Sequence, residues 1–277
     1  MPTFSAPDGT ELSYRRFGRG APLVCLPGGP MRASEYLGDL GGLDAHRTLV
    51  RLDLRGTGSS GVPSDQLSYR CDRQVEDVEG LRAHLGLETF DLLAHSAGAN
   101  LALQYAARHP GRVSRLVLAT PSTRALGISF TPEDRAEAAA LLADRPWQPA
   151  ALAALEATLQ GVFDFEAIAP VIYGRWGAAE QAHAALEEGQ RNDGAAQIFG
   201  TDGAFDPAAT RAALAAFTAP VLVLAAQYDG GPTPARAAET AAALANSETA
   251  VVPGTGHFPW VGDSTGFVTA VREFLDR

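Results

Sequence analysis

The chain has 277 residues, 46% hydrophobic and 19% charged, which is enough apolar material for a sizeable core and excludes a disordered chain. A formal net charge of -10 argues against nucleic-acid phosphates and anionic membrane surfaces as partners. The two cysteines, Cys25 and Cys71, are too few for a disulfide framework and show no metal-ligand spacing, so no metal is expected.

Glu11 to Arg16 reads as a strand behind the turn residues Asp8-Gly9, and Leu23 to Leu26 and Thr48 to Leu52 read as short buried strands. Arg73 to Leu85 carries Val75, Val78, Leu81 and Leu85 at helical spacing. Phe90 to Leu93 is the next strand, Gly98 to Arg108 the helix after it, and Val113 to Ala119 another strand. From about Ser122 to about Phe217 the pattern becomes alanine-rich and helical. Strand and helix then alternate again: Val221 to Ala226, Pro234 to Leu244, Thr249 to Val252 and Thr265 to Leu275. The alternation predicts an α/β fold with a mostly parallel sheet flanked by helices. Residues 1–121 and 218–277 form its core, and 122–217 a helical cap inserted between core strands, lying over the strand ends. Met1 to Ser5 lacks a basic region followed by an apolar stretch, and no apolar run approaches the roughly 20 residues needed to span a bilayer. A soluble, cytoplasmic protein is expected, with its oligomeric state left open.

Ala94-His95-Ser96-Ala97-Gly98 stands at a strand-to-helix junction. A nucleophile on such a turn needs small neighbours two residues away on each side, because the strand and helix backbones nearly touch there. The first helical N–H groups then point at the reacting atom. Gly256-His257-Phe258-Pro259-Trp260 follows the last strand in a glycine- and proline-rich loop, and Asp229 lies just past Val221 to Ala226. In a parallel sheet, Ser96, Asp229 and His257 all fall at the carboxyl edge. His257 can there take the Ser96 proton while Asp229 holds its tautomer. The loop Pro27-Gly28-Gly29-Pro30 should supply the Gly29 N–H, and Ala97 a second N–H, as an oxyanion hole.

These segments, with Asp53-Leu54-Arg55-Gly56-Thr57-Gly58-Ser59, resemble the α/β-hydrolase superfamily over the whole chain, nearest the proline iminopeptidases and related aminopeptidases and esterases. The resemblance implies a serine hydrolase without metal or organic cofactor, acting on a small-molecule or short peptide substrate with a peptide, amide or ester bond. In that family the second glycine of the oxyanion loop, matched here by Gly29, supplies an N–H. Three positions depart from the family pattern: Pro27 stands where it has His, Met31 where it has Gly, and Ala94 where the elbow has Gly. True iminopeptidases bind the substrate amine with acidic cap residues. Asp164, Glu166, Glu180, Glu187 and Glu188 are available, and no motif selects among them.

His95 should point away from the Ser96 hydroxyl and support the turn. Asp53 and Arg55 are expected to pair with each other, and Phe163, Phe165, Tyr173 and Trp176 are candidates for an apolar pocket wall. His46, His84, His109 and His183 have no ligand spacing and receive no chemistry. Gly56 and Gly58 lack the Lys-Ser/Thr of a phosphate loop. Two alternatives remain open: hydrolysis of carbon–carbon, lactone or thioester bonds on the same scaffold, and a ligand-binding protein without turnover.

Overall fold

The apolar runs become the central strands of one eight-stranded sheet in a computed structural model that describes residues 1–159, 161 and 164–277. The strands are β1 (Thr3–Ser5), β2 (Glu11–Gly18), β3 (Pro22–Leu26), β4 (Thr48–Leu52), β5 (Phe90–His95), β6 (Val113–Ala119), β7 (Val221–Ala226) and β8 (Ser247–Val252). Their spatial order is β1-β2-β4-β3-β5-β6-β7-β8. β1 and β2 pair antiparallel, β2 pairs antiparallel with β4, and from β4 to β8 every pairing is parallel. β1 did not stand out in the sequence because three residues with one buried side chain, Phe4, are too short for a period to show.

β4 and β7 are buried at every position, because helices cover both faces of a parallel sheet. Alternation divides β3 between the two faces. Val24 and Leu26 join the side packed by α1 (Val75–His84), α2 (Gly98–Arg108) and part of α10 (Pro234–Ala242). Leu23 and Cys25 join the side packed by α12 (Ser264–Leu275), through Phe267, Val271 and Phe274. Both cysteines are buried and unpaired, and burial pushes the Cys25 thiol up to about 12. It behaves there as a small apolar side chain.

Between β6 and β7 the described residues form α3 (Pro132–Ala140), α4 (Gln148–Leu159), α5 (Phe165–Tyr173), α6 (Ala178–Ala184), α7 (Glu187–Gln190), α8 (Asp193–Phe199) and α9 (Pro207–Leu214). Local chemistry sets several of the boundaries. Thr131 and Asp134 make a reciprocal capping box at the start of α3, and Asp164, Asn192 and Asp206 cap α5, α8 and α9 with side-chain oxygens. α5 ends at Gly174, whose left-handed backbone closes the last turn. Among the described residues no helix is long and apolar enough to cross a membrane.

Asp53 and Arg55, expected as a pair, do not meet. Asp53 accepts the Ser34 N–H, the Ser34 hydroxyl and the Ser59 N–H. Arg55 instead spans to Asp77 on α1, at 2.6 and 2.8 Å, and to Asp8. Each charge has a better partner than the other: turn donors surround the carboxylate, and a planar fork fits the Asp77 carboxylate with two bonds.

Candidate active site

β5 runs straight into α2, and the junction is Ser96. Its φ of 53° lies in the left-handed region, a strained setting for a non-glycine residue that holds its side chain above the sheet edge. The crossing demands a glycine at 98, since a Cβ there would sit 2.5 Å from the Pro27 carbonyl oxygen. Gly28 is similarly confined: a Cβ on it would lie 2.7 Å from Ser96 Cβ and 3.2 Å from the Ala97 nitrogen. The loop after β3 is thus pressed against the turn at Gly28, and the next residue, Gly29, lines the same cavity as Ser96. Among the described residues neither the Gly29 N–H nor the Ala97 N–H meets a protein acceptor.

His257 lies in the loop between β8 and α11 (Pro259–Gly262). Its N–H donates to the Ile172 carbonyl at 2.8 Å, and the Gly256 N–H donates to that of Tyr173 at 2.9 Å. The last carbonyls of α5 have no partner within their own helix, so the loop both satisfies them and gains a fixed support. On its other side the His257 carbonyl accepts from Thr120 Oγ1 at 3.0 Å and from His95 Nε2 at 2.9 Å. Asp229, in the turn after β7, is buried, and the Gly231 N–H holds its Oδ1 at 2.8 Å.

Three side chains far apart in sequence therefore form one line. Asp229 Oδ2 is 2.7 Å from His257 Nδ1, and His257 Nε2 is 2.8 Å from Ser96 Oγ. A carboxylate accepts from Nδ1–H, which leaves the Nε2 lone pair facing the serine hydroxyl. That is the tautomer able to receive the hydroxyl proton. In front of Ser96 is a cavity of about 300 Å³, lined by Gly29, Tyr36, Phe165, Ile172 and Phe258 and, at one wall, by Arg32, Glu187 and Arg191.

A family model described as the alpha/beta hydrolase fold matches residues 21–261. The chain belongs to that family. Among its relatives, a proline iminopeptidase of Heyndrickxia coagulans is 33% identical over 116 residues, 41% of this chain and 40% of that protein. The likeness to the iminopeptidase branch read from the sequence thus recurs. A non-heme haloperoxidase of Rhodococcus erythropolis is also 33% identical, over 43% of each chain. The α/β-hydrolase chain therefore spans well under half the length of these curated relatives. The solved esterase RhEst1 from Rhodococcus sp. ECU1013 superposes with a TM-score of 0.73 and 25% identity, covering 99% of this chain and 98% of that one.

Within this α/β-hydrolase site, the structure brings Ser96, Asp229 and His257, all named from sequence, into one line and puts Gly29 at the same cavity, while sequence reasoning missed the charged wall. Arg32 is buried, with its guanidinium 2.6 Å from Glu187 Oε2, 3.0 Å from Gln190 Oε1 and 4.4 Å above the centre of the Tyr36 ring. Arg191 lies 3.6 Å from the other Glu187 oxygen. The backbone repeats the link: Ala33 N–H donates to the Gln190 carbonyl and Asn192 N–H to that of Met31. A lone Arg behind a glycine pair carries no signature, because its partners come from a helix more than 150 residues away.

Of the four aromatic candidates, Phe165 lines the cavity. Tyr173 instead stacks on Phe258 at 4.7 Å within the core, and Trp176 packs against the same cluster. Phe163 lies outside the described residues. His183, given no chemistry from sequence, braces the site: its Nε2 is 2.8 Å from the Tyr36 carbonyl and its Nδ1 2.5 Å from the Tyr173 hydroxyl. Burial brings its pKa down to about 4, so the ring is neutral.

Proposed function

We propose that this protein is a serine hydrolase that cleaves small acyl esters through an acyl-enzyme. The single observation that carries the reading is the unbroken Asp229–His257–Ser96 line at 2.7 and 2.8 Å, facing a cavity with an apolar side of Phe165, Ile172 and Phe258. Ser96 Oγ attacks the carbonyl carbon while its proton passes to His257 Nε2, and Asp229 balances the imidazolium. The Gly29 and Ala97 N–H groups receive the oxyanion. The bond to the leaving group then breaks and His257 gives the leaving alkoxide its proton. Water, deprotonated by His257, attacks the acyl carbon, and the acid departs as Ser96 is restored. Helices of 122–217 act as the cap that shapes the acyl pocket, with Phe165 and Ile172 as its apolar part.

An ester without a free amine fits better than an aminopeptidase substrate. Glu187 is the carboxylate on the cavity wall, and its two oxygens already face Arg32 and Arg191. Arg191 also meets Asp193 at 2.9 Å, so among the described residues each carboxylate at that wall is already engaged by a guanidinium and none is left to hold an incoming ammonium. Two measurements test this. Wild type should react with a fluorophosphonate and Ser96→Ala should not. Nitrophenyl acyl esters should be hydrolysed well above the rate of aminoacyl nitroanilides with a free amine. A strict requirement for the free amine overturns the ester reading, and an inert wild type overturns the hydrolase reading.

A further inference from the structure

Behind the reacting groups lies a second chain of buried polar atoms, whose direction follows from which groups can donate. The His257 carbonyl can only accept, so His95 Nε2, 2.9 Å away, carries a proton. His95 is fully enclosed. Burial, followed by the nearby His257 ring, holds its pKa well below the ordinary imidazole range, so the ring is neutral. Its Nδ1 is then a bare acceptor, and the Tyr36 hydroxyl, 2.7 Å away, must donate to it. The same oxygen accepts the Gly28 N–H at 2.6 Å. Burial raises the Tyr36 phenol pKa, which keeps this proton in place.

Each end of the chain touches a different part of the site. Gly28 precedes the oxyanion donor Gly29, His95 precedes the nucleophile Ser96, and the last acceptor is the backbone of His257 itself. The Tyr36 carbonyl is in turn held by His183 from α6, and its ring lies under Arg32. Neither Tyr36 nor His95 contacts the Ser96 hydroxyl by a hydrogen bond among the described residues.

We propose that Tyr36 and His95 are positioning residues: their one-way hydrogen-bond chain sets the separation of the oxyanion loop, the nucleophile turn and the histidine loop. The inference rests on the hydrolase reading for its catalytic consequence. Tyr36→Phe removes one oxygen, leaving the Gly28 N–H without an acceptor and His95 Nδ1 without a donor. A loop misplaced by about 1 Å can cost about 100-fold, so kcat for an acyl ester should fall roughly 10- to 100-fold with KM little changed. His95→Gln puts an amide N–H near the lost Nε2 and should keep more kcat than His95→Asn, which cannot reach the His257 carbonyl.

Steady-state kinetics of folded Tyr36→Phe, with fluorophosphonate labelling of wild type, test the proposal. Wild-type labelling combined with an unchanged kcat in Tyr36→Phe overturns the positioning role while leaving the hydrolase reading intact. A wild type that neither labels nor turns over ester overturns the hydrolase reading itself. Should Tyr36→Phe not fold, nitrogen NMR of the wild-type histidines decides. A His95 ring protonated at Nε2 and bare at Nδ1 is expected, and a proton on Nδ1 overturns the chain.

Discussion

Replacing Asp229 by Asn changes few atoms but reverses one hydrogen bond. The Gly231 N–H already donates to Oδ1, so an Asn at 229 keeps its carbonyl oxygen on that side and turns its NH₂ toward His257 Nδ1. Two donors cannot face each other at 2.7 Å. The imidazole therefore moves its proton to Nε2 and presents N–H, not a lone pair, to Ser96 Oγ. The same tautomer reversal in a serine protease lowers kcat by about 10⁴, which at about 1.36 kcal/mol per tenfold is about 5.4 kcal/mol of lost transition-state stabilisation. The fold should persist, because Asn fills the same volume. Initial-rate kinetics on a nitrophenyl acyl ester measure the loss in kcat, and thermal unfolding checks that the fold persists. An Asp229→Asn enzyme that unfolds like wild type yet stays within about tenfold of wild-type kcat would refute the assignment of Asp229 as the group that sets the His257 tautomer.

Gly256→Ala drives a methyl group into the Ile172 carbonyl oxygen and to within 2.5 Å of the Tyr173 carbonyl carbon. Because backbone atoms cannot swing aside, it should cost about 1–3 kcal/mol in chemical denaturation and lower kcat as His257 shifts. Gly111→Ala, with open space around its Cβ, is the control and should stay within about 0.5 kcal/mol of wild type. Glu187→Gln leaves the buried Arg32 guanidinium without its counter-charge. Denaturation should register a loss of about 3 kcal/mol, the low end for breaking a buried pair, since Gln190 still meets Arg32. Hydrogen bonds from Arg82, with a further one from the Tyr105 hydroxyl, hold the Glu79 carboxyl down to about 2 from its ordinary 4.5. The folded state thus releases a proton that the unfolded chain keeps. The stabilisation is complete above about pH 4.5 and disappears as pH falls toward about 2. Glu79→Gln should remove that acid limb, so the gap in denaturation midpoint between wild type and variant should shrink from pH 6 to pH 3.

Local chemistry made much of this protein readable from the chain. Continuous apolar runs such as Val221–Ala226 announced strands buried on both faces, and the small residues around Ser96 announced a backbone crossing at which a Cβ on residue 98 would lie 2.5 Å from the Pro27 carbonyl oxygen. Strand ends were enough to bring Ser96, Asp229 and His257 to one edge, because parallel strands place all their carboxyl ends on the same side. The rest depended on packing between distant segments. Nothing near Arg32 in sequence predicts Glu187, nothing near Tyr36 predicts His95 or Gly28, and Asp53 turned from Arg55 to closer donors. Period and motif describe what a residue does to its own backbone. The partner of a buried charge or hydroxyl is decided only when the fold closes around it and every buried donor and acceptor must be matched.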